Sequence, residues 1–296
     1  MINVTNNTRL RGASFILISA FFYGTYGAWS RLMAADFGEF SQAWTRGLLL
    51  FIFSLLVNIK FKIFKKIDRR DWPWFLMVAF AGGLNQAPYF FGFKHLNIGT
   101  AVLLFYSALV IGGYLIGKLV FQEKLTGIKY LSLGLAILGI GTIYNLALTQ
   151  NQFLPAALTI MAGLMGAIAA VMPKKLSGHY AELQIMTGYF IVMVLANSLL
   201  GHFLNESLPP FSKINAWGAQ LGYATAMLLA NLAVIQGFKY IEASIGSLIG
   251  LAEILFGISF GVLFFGEKIT LGVIVGAILI ITSATLPNLK KETLDS

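Results

Sequence analysis

The sequence predicts an all-α integral membrane protein of ten transmembrane helices, arranged as two inverted five-helix repeats with the N- and C-termini cytoplasmic. Three observations predict it. The chain is 57% hydrophobic and only 11% charged, with a mean hydropathy of +0.78, whereas water-soluble domains carry about 25% charged residues. It contains an internal duplication, and its basic residues gather in alternate loops.

The duplication is clearest between Thr100 to Lys124, TAVLLFYSALVIGGYLIGKLVFQEK, and Ser244 to Lys268, SIGSLIGLAEILFGISFGVLFFGEK. Without a gap they agree at Leu104/Leu248, Ala108/Ala252, Gly113/Gly257, Gly117/Gly261, Leu119/Leu263, Phe121/Phe265, Glu123/Glu267 and Lys124/Lys268. Each copy follows a Gly-Phe-Lys turn, Gly92-Phe93-Lys94 and Gly237-Phe238-Lys239, once one deleted residue is allowed. The halves are therefore residues 1–150 and 151–296, one repeat each. One pair breaks the match: Leu109 in the first copy stands opposite Glu253 in the second.

A spanning helix needs about 20 apolar residues. Runs of that kind fall at 13–33, 41–60, 72–92, 98–118, 127–147, 155–173, 183–204, 215–237, 243–265 and 270–288. The longest internal polar loop, around Lys60 to Asp71, is about a dozen residues, so no soluble catalytic domain is expected and the protein is not read as an enzyme. The first apolar run is already of spanning length, and no cleaved signal peptide is expected.

Alternate segments hold Arg9, Arg11, the six bases from Lys60 to Arg70, Lys118, Lys124, Lys129, Lys174, Lys175, Lys239, Lys290 and Lys291. The intervening segments hold only Arg31, Lys94, Lys213 and Lys268. The positive-inside rule places the basic set, and both termini, in the cytoplasm. The same distribution reads the +9 net charge as a topology signal, with no nucleic acid as partner. Because five helices are an odd number, the second repeat enters the membrane from the opposite side, the arrangement of secondary transporters built around a midplane site.

In the first span, Tyr23-Gly24-Thr25-Tyr26-Gly27 and Trp29 fit either helix packing with an aromatic belt or a cavity wall. Arg46, in the second, is expected to play a structural part, snorkelling to the surface or pairing with Asp36 or Glu39. Asn85, Gln86, Pro88 and Tyr89 make the third span the most polar of the first half; Asn85 and Tyr89 share a face, and Pro88 frees a carbonyl one turn earlier. Gln86 corresponds to Asn231 in the eighth span, so two related amides are candidates to meet at the centre or to bond between helices. Gly113 and Gly117, Gly246 and Gly250, Gly257 and Gly261, and Gly272 and Gly276 are spaced for close helix contact. Pro173-Lys174-Lys175 ends the sixth span, and Pro209-Pro210 precedes the eighth.

Glu253 is the one acid deep in a span. An ionised side chain there costs roughly 3 kcal/mol on insertion scales, so it should face protein or a water-filled cavity. Its open roles are carrier of a coupling proton, counter-ion for a cationic solute group, or structural partner of a base. Tyr23, Tyr89 and Tyr106 are candidates for the remaining wall. There is no cysteine, which excludes thiol chemistry and cysteine-ligated metal. No Gly-rich phosphate loop is present, and His95, His179 and His202 lack metal-ligand spacing. No metal or cofactor is expected. The Asn205-Glu206-Ser207 sequon is read as chance.

With Tyr23-Gly24-Thr25, Arg46, the turn Phe265-Gly266-Glu267-Lys268, its variant Phe121-Gln122-Glu123-Lys124 and the Gly-rich fifth and tenth spans, the chain resembles the drug/metabolite transporter superfamily. The likeness is to its EamA-like type and covers nearly the whole chain. The resemblance implies alternating access through a cavity lined largely by the first, third, fourth, sixth, eighth and ninth helices. The family's proline positions in the fourth and ninth helices fall at Val110 and Ile254, where both prolines are absent. Glu253 matches the glutamate that precedes the second of them.

The expected function is a secondary transporter in the cytoplasmic (inner or plasma) membrane that exports small polar solutes. Amino acids or related amines are the best-fitting class, with Glu253, Asn85, Gln86, Tyr89, Asn231, Tyr23 and Tyr106 as binding groups, protons as a possible coupling ion through Glu253, and a homo-oligomer as a possible assembly. Sugars, nucleotide derivatives or cationic drugs are the alternative solutes, and a non-transporting scaffold or sensor subunit is the alternative class.

Overall fold

The structure is a computed structural model that describes residues 6–33, 35–144 and 148–289. Among these residues the fold is all-helical, 81% helix with no strand. The first repeat holds α1 (Asn6–Gly24), α2 (Tyr26–Met33), α3 (Glu39–Lys60), α4 (Trp72–Leu84), α5 (Gln86–His95), α6 (Ile98–Leu119) and α7 (Gly127–Ile143). The second holds α8 (Phe153–Val171), α9 (Pro173–Leu176), α10 (Glu182–Phe203), α11 (Ile214–Tyr240), α12 (Ala243–Gly250), α13 (Ala252–Phe265) and α14 (Leu271–Leu289). Six helical stretches among the described residues, two in the first repeat and four in the second counting α8–α9 and α12–α13 as one each, are long and apolar enough to cross a membrane; two shorter apolar ones lie at α7 and α14. Lys290 and Lys291, which enter the charge count, lie outside the described residues, as does the end of the 127–147 run.

Three runs that read as single spans are interrupted, each for a local reason. At Thr25 the hydroxyl donates to the Phe22 carbonyl at 2.6 Å and accepts from Trp29 Nε1 at 3.1 Å, competing with the helical ladder between α1 and α2. At Asn85, between α4 and α5, the ladder has already lost a donor to Pro88 three residues on. At Leu251 the chain passes from α12 to α13 through two short-range bonds, Leu251 N–H to Leu248 O at 3.2 Å and Ile254 N–H to Leu251 O at 3.0 Å. These form a 3₁₀ turn. No proline is involved: this copy is interrupted three residues before Ile254, one of the two positions where the family's proline is absent, while α6 runs unbroken through the other, Val110.

Apolar side chains cover the outside of the bundle, as Leu56, Leu131, Leu195 and Ile278 illustrate, and polar ones are used between helices. In the α3–α10 seam Asn58 donates to Thr187 Oγ1 at 3.0 Å, and that hydroxyl reaches Ser54 at 3.1 Å. Small residues bring α7 and α14 together: a methyl group added at Gly139 would lie 3.0 Å from the Gly276 carbonyl oxygen. α6 lies antiparallel to α12, with Gly113 against Ser247 and Gly117 beside Ala243. This contact joins the two repeats on one side of the molecule.

Candidate functional site

Between the repeats lies a cavity of about 760 Å³. Its wall comes from both halves: α1–α2, α5 and α6 on one side and α8, α11, α12 and α13 on the other, with Tyr144 after α7 and Tyr189 of α10. Toward one end it reaches Arg31 and Glu267, an ion pair at 2.9 Å whose side chains are 55% and 54% exposed. At the other end it stops on the main core, where Ile16, Phe238, Ala243 and Ile249 are packed and buried.

All seven residues singled out from the sequence line this cavity: Tyr23, Asn85, Gln86, Tyr89, Tyr106, Asn231 and Glu253. The break at Leu251 is what gives Glu253 its place. It opens a new helix N-terminus, and Glu253 stands in the first turn of α13, the end at which a helix dipole favours a negative charge. The Tyr106 hydroxyl, reaching across from α6, donates to Glu253 Oε1 at 2.5 Å. Among the described residues Glu253 has no basic partner. Tyr106 is itself held by an aromatic run, edge-on to Phe105, which stacks on Tyr89 at 4.1 Å between centroids.

Gln86 and Asn231 do not meet. Asn231 Oδ1 accepts from the Tyr23 hydroxyl at 3.2 Å while its amide nitrogen donates to the Met227 carbonyl, and Gln86 turns toward Arg46 instead. The amide of Asn85 leaves its oxygen buried with no partner, and so does the Tyr26 hydroxyl.

Arg46 departs furthest from its expected setting. It neither snorkels nor pairs with the neighbouring acids: Asp36 is bound to Lys213 at 3.1 Å and Glu39 to Lys94 at 3.4 Å. The side chain is 1% exposed. Its guanidinium sits 3.7 Å above the ring of Tyr223, donates a long bond of 3.5 Å to Gln86 Oε1, and leaves Nε and Nη1 without a hydrogen-bond partner. Both Tyr223 and Gln86 line the cavity, so the cation lies one side chain behind its wall.

Sequence reasoning missed three tyrosines, Tyr144, Tyr189 and Tyr223, and left Tyr26 open between helix packing and a cavity wall; with Tyr23, Tyr89 and Tyr106 these put seven of the chain's eleven on this cavity. A usable signal existed: a phenol inside an apolar span needs a polar neighbour. No group of three His, Cys, Asp or Glu residues able to hold a metal occurs among the described residues.

The model of the EamA-like transporter family matches twice, at residues 10–145 and 154–289. A protein of Pseudomonas aeruginosa, the pseudopaline exporter CntI, is 23% identical over 219 residues, spanning 73% of this chain and 75% of that protein. Among solved structures, one crystal structure superposes with a TM-score of 0.80 over 99% of this chain and 100% of its own, at 14% identity. That likeness concerns the fold.

Proposed function

Because this chain belongs to the EamA-like transporter family and is therefore a membrane transporter, we propose that it exports amino acids or closely related amines by alternating access around Glu253. The observation that carries the reading is the Glu253 carboxylate, set in the cavity on a tyrosine hydroxyl at 2.5 Å with no basic side chain bound to it. A carboxylate in that setting takes either a proton or the ammonium group of a solute, and exchange between the two couples export to proton entry. Arg46 supports the second half of the solute. A buried guanidinium with two unpartnered donor nitrogens calls for an anion, and the carboxylate of an amino acid supplies one once Gln86 or Tyr223 shifts aside. Tyr23, Asn85, Gln86, Tyr89 and Asn231 form the polar part of the wall between the two charges.

In this reading α1–α2, α4–α5, α8–α9 and α12–α13 each count as one interrupted span, which gives ten, and the basic loops set both termini in the cytoplasm of a cell bounded by this membrane. The exporter direction rests on the Pseudomonas relative. A second reading has an observation of its own: seven tyrosines on the same cavity as one carboxylate would also suit an aromatic or cationic compound. Counterflow in proteoliposomes separates them. Uptake of labelled amino acids driven by the same unlabelled solute is the expected result. Exchange confined to sugars, nucleotide derivatives or permanent cations would replace the amino-acid reading, and no exchange with any of them would sink the transport role of this cavity.

A further inference from the structure

The turns that end α6 and α13 have one backbone geometry and two different partners. In each, the residue before the glutamate takes a left-handed conformation, Gln122 at φ 53° and Gly266 at φ 66°. In each, the glutamate N–H reaches the carbonyl of the glycine six residues back, Glu123 to Gly117 at 2.8 Å and Glu267 to Gly261 at 3.2 Å. The carboxylate then folds over that same glycine.

Glu123 spends its carboxylate on the other repeat. Oε1 accepts from the Ala243 N–H at 2.5 Å, and Oε2 accepts from the Ser244 N–H at 3.1 Å and hydroxyl at 2.8 Å. It thereby caps the N-terminus of α12, where N–H groups and the helix dipole attract an anion. Lys174, at the end of the second repeat's first helix, lies 4.0 Å away and donates to the Ile241 carbonyl just ahead of α12. Glu123 is only 6% exposed.

Glu267 holds Arg31, which stands in the last turn of α2 at the end of the first repeat's first helix. The duplication puts Gly99 and Thr100, in the first turn of α6, where the other copy has Ala243 and Ser244, whereas the Glu267 carboxylate is turned to Arg31. The helices above follow suit. Gly113 and Gly117 are zipped to Ser247 and Ala243, while their twins Gly257 and Gly261 line the cavity and have Gly24 of α1 and the Glu267 carboxylate as their nearest neighbours.

A second twin pair repeats the contrast. Glu182 binds Lys239 and Gln236 at the Glu123 end, with exposures of 16% for Glu182 and 25% for Lys239. Glu39 and Lys94 stand 3.4 Å apart at the Glu267 end, 40% and 50% exposed.

We infer that Glu123 and Glu267 are exchanging latches. Each caps the N-terminus of the other repeat's fourth helix when its own end of the molecule is shut, and the structure has the Glu123 latch fastened and the Glu267 latch undone. In the opposite state the start of α6 lies along Gly257 and Gly261, Glu267 takes the N–H groups of the first turn of α6, and Glu123 releases Ala243 and Ser244. The inference rests on the alternating-access reading above, but it concerns the gates alone.

The chain has no cysteine, so spin labels go only where cysteines are introduced. One pair, at Asn97 and Lys268, reports the Glu267 end; another, at Lys124 and Tyr240, reports the Glu123 end. Distances are read by pulsed electron resonance on the protein in lipid nanodiscs without solute, so the outcome is separate from which solute is carried. In otherwise unaltered protein the 124–240 pair is expected short and the 97–268 pair long. Glu123→Gln is expected to add a long population to the first and a short one to the second, and Glu123→Asp to restore the starting distribution. Adding either Glu267→Gln or Gly257→Leu to Glu123→Gln should remove the new short population. Unchanged distances in folded Glu123→Gln, or a short 97–268 population that survives Glu267→Gln, would overturn the latch exchange.

Discussion

Over residues 100–124, α6 runs straight through Ser107 and carries Leu109; over the matching residues 244–268 the chain breaks at Leu251 and carries Glu253. The two differences belong together. A carboxylate in an unbroken apolar helix would meet only carbonyl and hydrocarbon, whereas the break supplies a helix N-terminus beneath it. Position 106 shows the complementary divergence: Tyr106 in the first copy stands opposite Gly250 in the second. One copy provides the hydroxyl, the other the acid and the space beside it, and the Tyr106–Glu253 bond joins them. A duplicated scaffold has become chemically asymmetric at its centre while remaining symmetric at its two gates.

Making the copies alike again is the harshest test of that comparison. Glu253→Leu, the residue of the twin position, should leave the protein folded in a thermal unfolding assay and reduce counterflow of amino acids to background, a loss of about a hundredfold or more if a charge contact is central to binding. Retained counterflow would show that the asymmetry is incidental.

Arg46→Met should do something less common: raise the unfolding temperature, because a buried cation without an acidic partner is replaced by an apolar chain, and cut transport of amino acids about tenfold while leaving their decarboxylated amines nearly untouched. Equal loss for both solutes would assign Arg46 to the scaffold. Tyr106→Phe removes one hydrogen bond to a charged group, about 1.5–3 kcal/mol, and should weaken solute binding roughly tenfold in a thermal-shift titration. The smallest effect belongs to the bend. Gly250 has open space where a methyl group would go, so Gly250→Ala favours continuous helix by about 1 kcal/mol, and transport should slow less than fivefold.

What the sequence made legible follows the physics it could express. Hydropathy and the matched glycines of the duplication gave the helices and the repeats, and the cost of a charge in hydrocarbon led to Glu253. The interruptions at Thr25 and Leu251 were not legible: Gly24 and Gly250 stand directly before them, but glycine recurs throughout these spans, and a threonine hydroxyl or a 3₁₀ turn replaces a ladder bond without a proline to mark the place. Arg46 was misplaced for a different reason. Nearby Asp36 and Glu39 made a local ion pair the natural expectation, yet both acids bind lysines distant in sequence, Lys213 and Lys94, and the arginine is left against Tyr223. The three unnoticed tyrosines follow the same rule, since their places on the common cavity come from α10, α11 and the residue after α7 and have no signature within any one of them.

Equilibrium binding of a labelled amino acid to the purified protein and to Glu253→Gln bears most directly on the central claim, because the substitution keeps the size and one oxygen to accept from Tyr106 and removes the charge. At least tenfold weaker binding in Glu253→Gln, with an unchanged unfolding temperature, is the expected result; equal affinity in the two proteins would contradict a site organised around the Glu253 carboxylate.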